Sequence, residues 1–308
     1  MKKLIWPSIS LVAVLFSAWL LYGELRTMSL ESLWESLQAI SLRDWVLAVG
    51  ATLLAYAALA GYDHIALLHL QRKVNWRFVA LCSFTTYALS HNIGASVLSG
   101  SAVRYRAYSS QGLSGGEVGL LVAFCSFTFG LGVALLTGIV LVIEPELGER
   151  FGDLLPVEAS TFAGVLLLVL IALYLFGSIL RLPQVRIWRL RLEYPRPAIV
   201  LRQLIIGPME LLAATAIIYF VLPEAGNPGF IVVLGIFLIS FSAALLSHAP
   251  GGIGVLELVF IVGLPEMAPE DVLAALLVFR LLYLIIPLAA ALPVVLGFEH
   301  SQLAHSKR

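Results

Sequence analysis

Charge is what this sequence has least of. Only 12% of its 308 residues are Asp, Glu, Lys or Arg, where soluble domains carry roughly 25%. An unusually greasy core does not explain so large a deficit. With 60% hydrophobic residues and a mean hydropathy of +0.97, the composition describes a chain that lives in lipid. Its 19 basic and 19 acidic side chains cancel, so there is no basic field to gather nucleic acid. Cysteine is scarce as well. Cys82 and Cys125 both lie in apolar segments, which excludes a disulfide framework and leaves them as small packing residues. Nucleophile elbows, phosphate-binding loops and His-Glu-x-x-His pairs are absent. A metal on His91 and His248 would need two further ligands that no His or acid cluster supplies, so no cofactor is implied.

What is present is length without charge. A helix needs about 20 apolar residues to cross a hydrocarbon core about 30 Å thick, and runs at 4–23, 45–62, 118–143, 159–180, 203–222 and 272–298 meet that need. The first run follows Lys2 and Lys3 and ends in Leu-Leu-Tyr-Gly-Glu. It is too long for a signal-peptide core and lacks a small-residue cleavage site, so it is expected to be a retained span. Ser41 with Asp44, and Ser114 with Glu117, have the spacing of capping pairs. Pro269, Glu270 and Asp271 suit the first turn of the last span.

Segments 78–103 and 230–264 break the pattern, each with a polar, Gly-containing interruption followed by a short apolar run. Ile253 to Leu264 would reach about 18 Å at 1.5 Å per residue, too short to cross. Basic residues mark the cytoplasmic side, and they decide what these segments do instead. Lys2 and Lys3, the loop with Arg72, Lys73 and Arg77, the six arginines 181, 186, 189, 191, 196 and 202, and the tail with Lys307 and Arg308 all belong inside. The acidic loops 24–44, 144–158 and 265–271 belong outside. Arg104 and Arg106 stay inside only if segment 78–103 dips into the membrane and returns. The expected fold is therefore all-α and polytopic, with six full spans, two opposed re-entrant hairpins and both termini cytoplasmic.

A shift of 157 residues aligns Leu81-Cys-Ser-Phe-Thr-Thr-Tyr-Ala-Leu-Ser-His91 with Leu238-Ile-Ser-Phe-Ser-Ala-Ala-Leu-Leu-Ser-His248, identical at six of eleven positions, and Gly94 with Gly251. The deduced topology makes residues 1–143 and 144–298 inverted copies within one membrane domain, with 299–308 a cytoplasmic tail. Inverted repeats with broken helices at matching places are the architecture of secondary transporters, whose site lies near the midplane between the repeats.

The tips read Ser90-His91-Asn92-Ile93-Gly94 and Ser247-His248-Ala249-Pro250-Gly251-Gly252-Ile253-Gly254. Proline stops a helix and glycine tolerates positive φ. The half-helix after each tip starts with unpaired N–H groups and positive partial charge, which suits a phosphate or carboxylate. These groups could equally do no more than cap the breaks. Three ionisable residues inside spans are functional candidates by default: Glu210, Glu257 and Arg280. Glu257 and Arg280 could form a structural ion pair. Alternatively Arg280 holds an anionic headgroup while a glutamate receives a cationic one. Arg104, Tyr105, Arg106 and Tyr108 follow the first hairpin and could anchor the protein among headgroups or receive them. Asp63 and His64 are expected to cap a helix end or face water. Leu30, Leu33, Trp34 and Leu37 share one face of a helix that would lie flat on the outer surface.

Gly61-Tyr-Asp63, Ser83-Phe84, Tyr87-Ala88, Ser90-His-Asn-Ile-Gly94, Leu98-Ser-Gly100, Val103-Arg-Tyr-Arg106, Phe124-Cys-Ser126 and Phe129 resemble the N-terminal membrane domain of bacterial lysylphosphatidylglycerol synthases. Ser247 to Glu257, Phe279-Arg-Leu-Leu-Tyr283 and Pro287 continue the resemblance over nearly the whole chain. It implies a flippase-like domain in the bacterial cytoplasmic membrane that moves anionic or aminoacylated phospholipid. The sequence stops ten residues after the last span, leaving no room for the aminoacyltransferase of the full-length synthases. The expected function is thus lipid translocation rather than synthesis. The expected substrate contacts are His91, Asn92, Gly94, Arg104, Arg106, Glu210, His248, Gly251, Gly252, Glu257 and Arg280. Membrane phospholipids are the expected partners. A separate lipid-modifying enzyme or further copies of the chain could join them, and docking such an enzyme is the alternative function. A headgroup enzyme using His91, His248 or Glu257 as acid or base would lack a nucleophile.

Overall fold

The computed structural model describes residues 30–93, 96–152, 157–181, 185–187, 190–192, 194–247 and 252–306. The expected span at 4–23 lies outside them, as do the tip residues Gly94, His248 and Gly251. A short helix α1 (Leu30–Ala39) leads into α2 (Leu42–His69). The Ser41 hydroxyl starts α2 by accepting the Asp44 N–H at 3.2 Å. Helices α3 (Trp76–Ile93) and α4 (Ser96–Ser109) follow. Then comes α5 (Gly115–Ile143), opened by the expected capping box, in which the Ser114 N–H donates to Glu117 Oε2 at 2.9 Å. A 3-10 turn (Pro145–Phe151) leads to α6 (Val157–Ile179). A two-stranded hairpin, β1 (Val185–Ile187) with β2 (Leu190–Leu192), precedes α7 (Pro197–Val221). Next are α8 (Phe230–Ser247), α9 (Val255–Gly263) and α10 (Pro269–Phe279). The last runs through a π-helical segment (Arg280–Ile285) into α11 (Ile286–Ser306).

Helices 42–69, 115–143, 157–179, 197–221 and 269–297 are long and apolar enough to cross a membrane, each overlapping one of five expected spans. The chain is a helical, multi-pass membrane protein, with three departures from expectation. The arginine-rich loop carries the small β hairpin. Residues 299–306, expected as a tail, extend α11. Finally, α2 continues seven residues past its expected end at 62 and α4 reaches Ser109, because the polar residues that seemed to end these runs are paired inside the bundle.

At the centre α2 lies along α7, the most extensive helix contact in the bundle. Ala48, Ala55, Ala58 and Ala66 are buried on α2, and such small residues let helix backbones approach where lipid supplies no hydrophobic drive. Around that pair, α5 packs on α7 and α6. Helices α3 and α4 pack on each other, and so do α8 and α9. The contacts between halves are reciprocal: α5 touches α8, and α11 touches α3. Glycine is needed where α5 crosses α7. A Cβ on Gly132 would stand 2.5 Å from the Gly207 carbonyl carbon, closer than any side chain can sit. Among the five described spans α6 is the least buried, with Phe162, Leu173 and Phe176 exposed. The amphipathic α1 folds as expected and packs on α10, where Trp34, Leu37 and Trp45 line a shallow apolar groove with Leu277, Val278 and Leu281.

Candidate functional site

The first helix break joins α3 to α4, and it is fastened by charge. Asp63 is fully buried on α2, correcting the expectation that it caps a helix end or faces water. It accepts from Arg104 at 2.7 Å (Nη2) and 3.1 Å (Nε) through Oδ1, and from the Tyr108 hydroxyl at 2.8 Å through Oδ2. The Cys125 thiol of α5 lies 3.5 Å from the same carboxylate. The Arg104 guanidinium also lies 4.7 Å from the ring centroid of Tyr87 on α3. Arg104 and Tyr108 are one helical turn apart, so both reach one partner. Rather than following the hairpin, Arg104 belongs to its return helix and points inward, buried, while Arg106 is exposed two residues on.

The second break joins α8 to α9 and has the same device with its signs exchanged. Glu257, on the return helix α9, accepts from Arg280 Nε at 2.7 Å, with Arg280 Nη2 at 2.6 Å. Both side chains are 12% exposed. The other carboxylate oxygen of Glu257 accepts the Gly254 N–H at 2.8 Å and closes the first turn of α9. Gly252 and Gly254 hold φ of +66° and +82°, the left-handed backbone expected of the glycines at this break.

Between the breaks lies an aromatic core. Tyr283 donates to Glu210 Oε1 at 2.5 Å, and its ring stacks on His91 with centroids 5.3 Å apart. Phe279 stacks on Tyr283 at 5.1 Å, and Tyr87 approaches His91 at 5.5 Å. The π-helical turn explains how distant elements meet here. Widening a helix to i→i+5 bonding disturbs its carbonyl pairing and recurs at functional sites. Two carbonyls of this turn accept from outside it: Tyr283 O from the Tyr56 hydroxyl at 2.9 Å, and Leu284 O from the Asn92 amide at 3.1 Å. Asn92 also donates to Ala88 O at 2.8 Å, so its amide ties the end of α3 to the last span. Pro208, inside α7 next to Glu210's turn, has no N–H to donate, and the neighbouring Gly207 carbonyl accepts the Tyr62 hydroxyl at 3.1 Å.

The candidates therefore do not all converge on one point. His91, Asn92 and Glu210 contact the π-helical turn of the last span, which begins with Arg280, and Glu257 reaches it through Arg280. Arg104 makes a separate ion pair, and Gly252 sits at the second break. The sequence reading did not single out the tyrosines 56, 62, 87, 108 and 283 as a set. Tyr87 lies four residues before His91, Tyr108 four after Arg104 and Tyr283 three after Arg280, and these same-face spacings were the available signal. Among the described residues no three His, Cys, Asp or Glu side chains converge as a metal site would require.

The family model for the lysylphosphatidylglycerol synthase transmembrane region matches residues 9–291. The uncharacterized protein slr0712 of Synechocystis is 31% identical over 265 residues, covering 85% of this chain and 81% of its own length. The inner membrane protein YbhN of Escherichia coli is 32% identical over 275 residues, covering 87% and 84%. A phosphatidylglycerol lysyltransferase of Staphylococcus aureus is 26% identical over 292 residues, which are 92% of this chain but 33% of the lysyltransferase.

Proposed function

The chain belongs to the lysylphosphatidylglycerol synthase transmembrane-region family, and from that premise we propose that it moves an anionic or aminoacylated phospholipid between the leaflets of the bacterial cytoplasmic membrane. The similarity covers 33% of the Staphylococcus aureus lysyltransferase, and aminoacyl transfer is not proposed. One observation carries the reading: each interrupted helix pair is fastened to a span by one ion pair, Asp63–Arg104 at the first break and Glu257–Arg280 at the second. The reciprocal packing of α5 on α8 and α11 on α3 supports inverted repeats, with both helix pairs re-entering from opposite faces. Non-helical backbone at membrane depth is tolerated when buried in protein or lining a wet cavity.

Arg280 is the headgroup ligand in this reading. A guanidinium offers a phosphate the same forked donors that it offers Glu257. When phosphate replaces Glu257, that carboxylate keeps the Gly254 N–H and the positive end of α9, so the exchange strands no buried charge. The freed carboxylate can then receive the amine of a lysylated headgroup. An inner membrane protein among the relatives supports the location.

The test is translocation of labelled plain and lysylated phosphatidylglycerol in proteoliposomes. Wild-type protein should move at least one of them, and Arg280→Ala should slow that lipid by about 10- to 100-fold, the equivalent of a charge-assisted hydrogen bond of roughly 1.5–3 kcal/mol. Thermal unfolding of the variant checks that the fold survives. Folded wild-type protein that moves neither lipid would sink the proposal.

A further inference from the structure

Among the described residues three carboxylates are held inside this bundle, and two of them have cations. Asp63 has Arg104 and Glu257 has Arg280. Glu210 is 2% exposed, and no cation is bonded to it among the described residues. Around it, α2 contributes Tyr56 and Tyr62, and the π-helical turn contributes Tyr283, with Arg280 three residues earlier paired to Glu257. Helix α5 offers Cys125, which lies against Asp63. Helix α6 offers Tyr174, whose hydroxyl is bonded to Gln203, and α8 carries no titratable side chain.

Hydrogen-bond bookkeeping around Glu210 is one proton short. Oε1 receives the Tyr283 hydroxyl, but Oε2 has no partner among the described residues. Tyr62 lies within hydrogen-bond reach of the carboxylate and also donates to Gly207 O, and Tyr56 places its proton on Tyr283 O. An ionised carboxylate buried against two tyrosine hydroxyls, one of them shared with a backbone carbonyl, and with no cation among the described residues, is expensive, whereas the neutral acid carries no such penalty. His91 lies on the other side of this arrangement, stacked on Tyr283, with Nδ1 also lacking a partner among the described residues. It stands two residues before the end of α3. Chains of Glu and His inside membranes mark proton pathways.

We infer that Glu210 is a proton-binding site through which lipid movement is coupled to a proton gradient. The step is an acid–base one. Carboxylate Oε2 takes a proton from water reaching the first break by way of His91, and gives it up to water on the opposite side after the helix pairs rearrange. Only an O–H bond forms and breaks. The occupied site is neutral and closes with its tyrosines, while the empty site demands water or a rearrangement. That difference ties protonation to conformation. The inference rests on the lipid-translocation reading and adds its energy source.

Two measurements test it on the full-length protein. Infrared difference spectroscopy of the protein in nanodiscs should show a protonated-carboxyl stretch that titrates with pH and is missing in Glu210→Gln. This readout needs no cargo. In proteoliposomes containing labelled phosphatidylglycerol, with the membrane potential clamped by potassium and valinomycin, a one-unit pH gradient should sustain a lipid asymmetry of up to about tenfold for one proton per lipid. Glu210→Gln, which keeps an acceptor for Tyr283, should keep the wild-type thermal unfolding midpoint and lose the response to the gradient. No titrating band at any pH, or a band that survives in Glu210→Gln, overturns the site. A genuine band with lipid movement indifferent to the gradient overturns the coupling alone. No lipid movement under any gradient defeats the translocation reading and the coupling with it.

Discussion

Removing Asp63 tests whether the first helix break is held by its ion pair. In Asp63→Ala the Arg104 guanidinium loses both bonds to Oδ1, and Tyr108 loses its 2.8 Å acceptor. Arg104 is 5% exposed, so water cannot replace the carboxylate without opening the bundle. What remains is the Tyr87 ring at 4.7 Å, a contact of about 0.5–2 kcal/mol. Breaking a buried pair from one side costs about 3–5 kcal/mol, whereas removing both charges together is close to neutral. Asp63→Ala should therefore destabilise by about 3–5 kcal/mol. Adding Arg104→Met should restore about 2–3 kcal/mol, the coupling expected of residues in one network. Equilibrium unfolding in mixed micelles, followed by circular dichroism, gives the free energies of wild type, of Asp63→Ala and Arg104→Met alone, and of the double variant. Additive single and double variants, or an Asp63→Ala loss below about 1 kcal/mol, would refute the reasoning. Either result would mean that packing of α3 and α4, and not charge, holds the break.

Other consequences are reachable with the same preparations. Gly132→Val places its Cβ 2.5 Å from a Gly207 backbone carbon, which cannot rotate aside, so the α5–α7 crossing should open at a loss of about 1–3 kcal/mol. A thermal midpoint equal to wild type would contradict that. Outside the spans, Arg150 donates to Glu266 at 2.9 Å and to Gly263 O at 3.0 Å. Its hydrogen bond holds the Glu266 carboxyl below its ordinary value of 4.5. A depressed folded-state value means stabilisation that is fully present above the ordinary value and lost as pH falls through the folded one. The Glu266 side chain is 44% exposed, so the effect stays within about 0–1 kcal/mol. The stability difference between wild type and Glu266→Gln should shrink on acidification through the carboxylate range, and a difference that grew would reverse the assignment.

Much of this protein follows from composition and the spacing of charge. Five apolar runs long enough to cross the bilayer became helices because lipid leaves backbone polar groups no partner outside the helix. The capping pair at Ser114 and Glu117 and the proline-led start of α10 follow from local chemistry within one turn. The second helix interruption was legible for the same reason, since Gly252 and Gly254 act on their own backbone. The Glu257–Arg280 pair was one of two readings that the sequence left open. Tertiary structure decided what the polar residues inside the runs were for. Asp63 resembled a helix end because a lone acid cannot stay in lipid. Its partner is 41 residues away, on a helix whose docking against α2 no local pattern encodes. The tyrosine core is similar. Tyr283 meets Glu210 and His91 only because a π-helical turn and the crossing of α2 over α7 bring four separate segments together. Periodicity records which face of one helix is apolar, but which buried donor faces which buried acceptor is settled by packing between helices.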